Sequence, residues 1–97
     1  MTTRIEKDPL GEKAVPADAL YGIQTLRAVE NYPISGLRPL PAFVDAVIQI
    51  KKAAALANAK AGELPKEHLD AIVKACDEVL AGQWRDQFPV DVFQMGA

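Results

Sequence analysis

The placement of proline and glycine constrains this chain more than any other feature. Seven prolines and six glycines interrupt its 97 residues, and only residues 42–61 and 66–81 run long without either. Proline removes a backbone N–H and disfavours helix in the residue before it, so long helices are confined to those two stretches. The first reads as a helix from about Ala42 to Ala61. Pro41 sits at its first turn, where a missing N–H is tolerated, and Gly62 can take the left-handed conformation that ends it. Phe43, Val47, Ile50, Ala54, Ala57 and Ala61 trace one face, while Asp45, Gln49, Lys52 and Lys60 lie largely away from it. The second stretch reads as a helix from about Pro65 to Ala81, closed by Gly82. Leu69, Ile72, Val73, Cys76, Val79 and Leu80 form its apolar stripe, and Asp70, Lys74, Asp77 and Glu78 its wet side. A short loop around Gly62-Glu63-Leu64 predicts an antiparallel helix pair.

The flanks are read from the same punctuation. Residues 1–20 carry Pro9, Gly11 and Pro16 with no helical period, which predicts an irregular, extended segment. Asp18 is a candidate cap for a short helix running to about Tyr32, with Leu20, Ile23, Leu26 (or Arg27) and Glu30 at three- and four-residue steps. Pro33 closes it, and Ser35–Pro41 is a turn-rich connector. From Trp84, the alternation of Phe88, Val90 and Val92 with Pro89 and Asp91 predicts an extended C-terminal segment. The fold class is therefore mainly α.

Composition narrows the function classes. Apolar residues make up 49% and charged residues 25%, an ordinary globular balance. Eleven Lys+Arg against thirteen Asp+Glu give a net charge of −2, so nothing points to nucleic acid or an anionic membrane as partner. The longest unbroken apolar run, Ala53–Ala57, is far short of the roughly 20 residues a membrane span needs. The first residues lack the apolar core of a secretory signal, and a single cysteine, Cys76, fits a reducing compartment. A cytoplasmic location is expected. Two amphipathic helices with extended flanks give a thin core, and the alanines at 53, 54, 55, 57, 59 and 61 suit close approach by a neighbouring helix. We therefore expect a truncated domain, completed by further chain or a partner subunit.

Few residues carry evident chemistry. One Cys, one His and scattered carboxylates lack the convergent spacing of a metal site, and the isolated glycines form no phosphate cradle. Cys76 and His68 are eight residues apart, with Cys76 on the apolar stripe, so they read as a packing residue and a surface residue. Lys51 and Lys52 read as a solvated face. Arg27 and Arg85 could each grip a carboxylate bidentately, although a structural ion pair is the simpler reading of either alone. Trp84 and Phe88 read as packing residues.

Several segments, read in order, resemble the N-terminal domain of the aspartase/fumarase superfamily, and within it the bacterial aspartate ammonia-lyases. They are Arg4-Ile-Glu-Lys-Asp8, Leu10-Gly11-Glu-Lys13, Val15-Pro-Ala-Asp18, Tyr21-Gly-Ile-Gln-Thr-Leu-Arg27, Glu30-Asn31 and Ile34-Ser-Gly36. Lys51-Lys-Ala-Ala-Ala55, Asn58, Ala75-Cys-Asp-Glu-Val79 and Asp86-Gln-Phe-Pro-Val-Asp91 complete the match, which covers essentially the whole chain. Class II fumarases share many of these elements. They usually have a histidine where Gln87 stands, and a Trp-Gln-Thr-Gly-Ser loop where this chain has Phe93-Gln-Met-Gly-Ala97. Aspartases usually end this stretch Gly-Gly-Ala, so Met95 is a departure.

The resemblance implies the N-terminal helical domain of that fold over residues 1–97, without the central helical bundle or the C-terminal domain. It implies a cytoplasmic, homotetrameric parent enzyme that reversibly deaminates L-aspartate to fumarate and ammonia. A serine on a mobile loop would abstract the proton, and hydrogen bonds with positive charge would stabilise the resulting enediolate. The parent needs no organic cofactor; a divalent metal acts, if at all, as an activator. The substrate-binding threonine and serine loop would begin directly after Ala97, and the catalytic serine far downstream. No catalytic residue and no metal ligand is therefore assigned within the chain, which is expected to be inactive alone. Arg27, Gln94 and Gly96 are the candidate substrate-binding residues, Arg27 indirectly and the other two by shaping that loop. A class II fumarase parent, or a small helical protein-interaction module, are the alternatives.

Overall fold

The computed structural model describes residues 2–94. Its elements are two strands, β1 (Thr3–Asp8) and β2 (Gly11–Pro16), followed by three helices, α1 (Ile23–Asn31), α2 (Pro41–Lys60) and α3 (Lys66–Leu80), and a single 3-10 turn at Arg85–Gln87. They form two compact units. One joins residues 2–39 with residues 86–94, and the other spans Leu40–Arg85. The mainly helical class is as expected.

In the first unit the N-terminal segment is extended but not irregular. β1 and β2 pair antiparallel, in register from Thr3 opposite Pro16 to Asp8 opposite Gly11. Asp8 Oδ1 accepts the Leu10 N–H at 3.0 Å, fixing the Pro9-Leu10 turn. The hairpin hides from a sequence reading because its covered face is largely polar. Arg4, Glu6, Asp8 and Lys13 are half-buried with the fully buried Val15, whereas Ile5 on the other face is 64% exposed. Alternation of apolar with polar residues, the ordinary strand signal, is thereby inverted.

Helix α1 packs on this hairpin. Its core is Val15, Ala19 and Ile23, flanked by Tyr21 and Leu26. The helix starts at Ile23 rather than after Asp18. Arg4 holds the preceding residues in a non-helical path by donating to the carbonyls of Pro16, Ala17, Ala19 and Tyr21 at 2.8–3.1 Å. The cap comes from another element: the Ile23 N–H donates to Glu6 Oε1 of β1 at 2.9 Å. Gly22 makes room for it, since a Cβ there would lie 3.0 Å from that same oxygen.

The second unit is the expected helix pair. Gly62 and Gly82 follow α2 and α3 with φ of 84° and 100°. On α3, Cys76 and Val79 are buried and Leu69, Val73 and Leu80 half-buried, as the stripe predicted, while Ile72 remains 38% exposed. On α2 the buried positions are Val44, Ile48 and Ala55, one residue round from the predicted face; Phe43 is 64% and Ile50 68% exposed. Apolar residues occupy more than one side of this helix, so periodicity alone cannot select the packed side. Polar pairs at the margins do. Lys52 meets Asp77 of α3 at 2.6 Å, and Arg85 meets Asp45 at 2.8 Å.

Beyond α3 the chain does not become extended at Trp84. This residue has φ of 63°, a strained value for a bulky side chain, and its indole N–H donates to Glu78 at 3.1 Å. The 3-10 turn follows, and residues 88–94 belong to neither helix nor strand. No described helix is long and apolar enough to cross a membrane.

Candidate functional site

The candidate residues Arg27 and Gln94 both lie in the first unit, in separate hydrogen-bond networks. Arg27 projects from α1 toward the hairpin turn. Its Nε and one terminal nitrogen donate to the two Asp8 oxygens at 2.8 and 2.9 Å, and the same nitrogen reaches the Gly11 carbonyl at 3.2 Å. Gln24, one turn earlier, donates to Asp8 at 3.0 Å. The Asp8 side chain is only 6% exposed. The Arg27 guanidinium holds its carboxyl below the usual range against the opposing effect of burial, helped by the Leu10 N–H. Asp8 in turn raises the Arg27 pKa.

The surface beside this pair is an open concavity of about 550 Å³ lined by Leu10, Lys13, Gln24, Arg27, Ala28, Glu30 and Asn31. Lys13 meets Glu30 there at 2.8 Å. Each cation thus faces a carboxylate of this chain. Arg27 spends its bidentate grip on Asp8, so its geometry fixes α1 to the hairpin rather than presenting a free fork to a substrate.

The second network centres on Asp91, a buried carboxylate in the segment after the 3-10 turn. Its Oδ2 accepts the backbone N–H groups of Ser35 at 2.9 Å and Gly36 at 2.8 Å. Its Oδ1 accepts the Ser35 hydroxyl at 2.7 Å and the Phe93 N–H at 2.8 Å. The Val92 N–H donates to the Leu37 carbonyl at 3.2 Å. Gln94 turns its side chain back, donating to the Asp91 carbonyl at 3.1 Å. These donors, the Phe93 N–H foremost, hold the Asp91 pKa at about 2 against burial. Gln87 makes a comparable long-range tie: its side-chain oxygen accepts the Leu20 N–H at 2.7 Å.

The third candidate, Gly96, and the departure at Met95 lie outside the described residues. His68 is exposed in the first turn of α3, whereas Cys76, eight residues on, is buried. Arg85 is engaged by Asp45, as a structural pair. Among the described residues no three His, Cys, Asp or Glu side chains converge as a metal ion would require. The sequence offers no candidate role for Asp8, Glu6 or Asp91, each of which has a partner far along the chain: Arg27 for Asp8, the Ile23 N–H for Glu6 and the Ser35 N–H for Asp91. Only Asp91 carries a local hint, as a lone charge between Val90 and Val92.

Comparison with known proteins places this architecture. A family described as lyase matches residues 11–97. An aspartate ammonia-lyase of Bacillus is 56% identical over 94 residues, covering 97% of this chain and 20% of that protein. A class II fumarate hydratase of Halobacterium salinarum is 57% identical over 94 residues, with the same two shares. The aspartate ammonia-lyase of Escherichia coli K12 is 54% identical over 97 residues, again across 20% of its length. Among solved structures, a fumarate lyase:delta crystallin from Brucella melitensis matches with a TM-score of 0.92 and 51% identity, over 97% of this chain and 22% of that one. A class II fumarase from Schistosoma mansoni matches with a TM-score of 0.91 and 36% identity, over 96% of this chain and 20% of the other. The chain thus spans 20% of the length of the curated relatives it matches.

Proposed function

This chain belongs to the lyase family that matches its residues 11–97, and from that premise we propose that it is the N-terminal domain of an aspartate ammonia-lyase. The parent would be a cytoplasmic homotetramer that reversibly converts L-aspartate to fumarate and ammonia. The observation that carries this reading is Gln87, which stands where the resemblance places a histidine in class II fumarases. Its amide oxygen accepts the Leu20 N–H at 2.7 Å, and, unlike an imidazole, the amide has no proton to titrate near neutral pH.

Within the parent this domain would supply framework rather than reacting groups. Arg27 would act on substrate indirectly, by keeping α1 seated on the hairpin through Asp8. Gln94 and Gly96 would shape the start of the substrate-binding threonine and serine loop. The proton-abstracting serine would come from elsewhere in the parent, with electrostatic stabilisation of the enediolate.

The competing reading, a class II fumarase, is favoured by the 57% identity to the Halobacterium salinarum hydratase. Fumarate formation by the purified full-length parent decides between them: turnover of aspartate and not of malate is expected, and the reverse would overturn the assignment. The 97-residue chain assayed alone is expected to form no fumarate from either substrate.

A further inference from the structure

Helix α2 is apolar on two sides, and packing within its unit uses only one. Val44, Ile48 and Ala55 are buried. Phe43, Val47, Ile50, Ala54 and Ala57, at alternating steps of four and three residues, form a second seam that is exposed throughout. Steps of this kind keep a seam straight along a helix, the pattern by which one helix beds against another surface. The margins of the seam are cationic. At about 3.6 residues per turn, Lys51 stands to one side of it and Lys60 to the other. Both are exposed, and among the described residues neither meets a carboxylate.

The same unit carries an open groove of the opposite character, about 590 Å³ in volume. Leu56 of α2 lines it with Leu69 and Val73 of α3, and its carboxylates, Asp70, Asp77 and Glu78, outnumber its one lysine, Lys74. Asp70 and Asp77 meet Lys66 and Lys52 yet keep 61% and 54% of their side chains exposed. Glu78 meets no cation among the described residues and accepts the Trp84 indole N–H. We propose that the α2 seam of one chain docks in the α2–α3 groove of a second copy, with the lysine margins of the seam set against the carboxylates of the groove. Charge opposes the other pairing of two copies, seam on seam. Lys51 lies at the middle of α2, so antiparallel seams would bring it against its own counterpart. Seam-to-groove contact uses different patches on the two chains, so each pair keeps one of each free and further copies add end to end. The contact belongs to the chain of these 97 residues and does not depend on the lyase reading.

Sedimentation velocity of the 97-residue chain tests it. Species beyond the dimer are expected as concentration rises, and fewer of them as NaCl goes from about 0.05 M to about 0.5 M. Ile50→Ser spoils the seam and Leu56→Ser the groove, and each is expected to weaken self-association by at least about tenfold. Mixed in equal amounts, the two variants should form a pair that grows no further, because one supplies an intact groove and the other an intact seam. Lys51→Glu leaves the apolar surface whole and should also weaken association; it carries the test if circular dichroism shows that a serine variant has lost helix. A monomeric wild type, a folded variant that associates as tightly as wild type, a mixture that forms no pair, or association indifferent to salt overturns the proposal.

Discussion

Glu6, Asp8 and Asp91 each hold an ordinary element to a distant one, and all three have pKa values pulled below their ordinary ones. For Glu6 the main cause is Arg4, then the Ile23 N–H that it caps. A depressed folded-state pKa means that the folded state binds protons less readily than the unfolded one. Stability from these groups is therefore full above about pH 5 and is lost as pH falls through the folded values, down to about 2 for Asp91. Thermal melting of the protein followed from pH 6 to pH 2 is expected to show this decline, with a shallower slope in Asp91→Asn. The Asp8–Arg27 pair makes a second expectation. Arg27→Lys keeps the charge but cannot span both Asp8 oxygens, so hydrogen exchange in α1 is expected to quicken. Equal protection in the lysine variant would show that charge alone suffices.

At the scale of elements, α2 poses the sharpest question, because the sequence reading and the structure choose different sides of it. Ile48 is 7% exposed and Ile50 68%. Ile48→Ala should destabilise the α2–α3 pair by about 2 kcal/mol or more, whereas Ile50→Ala should change the isolated chain by no more than about 0.5 kcal/mol. Urea unfolding of both variants measures the difference; equal costs would restore the predicted face. The helices themselves were legible because proline and glycine bound them and because α3 has a single apolar stripe. The side of α2 was not, since Phe43, Val47 and Ile50 compete with Val44 and Ile48. The hairpin was not, because its covered face is built from Arg4, Glu6, Asp8 and Lys13, of which Arg4 and Glu6 pair with each other and Asp8 and Lys13 with Arg27 and Glu30 of α1. The start of α1 was missed for a related reason: its cap lies on β1, seventeen residues from the N–H it satisfies. Of the candidate site, Arg27 was found as a cation fit for a carboxylate, but the carboxylate it grips is Asp8, nineteen residues away.

On the scale of the whole molecule, the chain leaves much apolar surface uncovered. Phe43, Ile50 and Leu56 on α2 are exposed in the second unit, and Leu10, Leu20, Ile34 and Leu37 in the first. Phe43 and Ile50, seven residues apart, share one face of α2, and an exposed apolar face of this kind marks a surface that meets other protein. The isolated 97-residue chain is accordingly expected to bind the dye ANS and to self-associate as its concentration rises, measured by fluorescence and light scattering. The longer lyase proposed above would cover these faces and should bind little dye. A dye-silent, monomeric chain would instead support the small interaction module that the sequence left open. The cap that Glu6 supplies to Ile23 carries a practical corollary for anyone handling the protein. Clipping by an aminopeptidase, or a purification tag whose removal trims past the sixth position, would do more than fray an edge, since the loss would propagate inward and unwind the opening turn of a helix that the cut never touched.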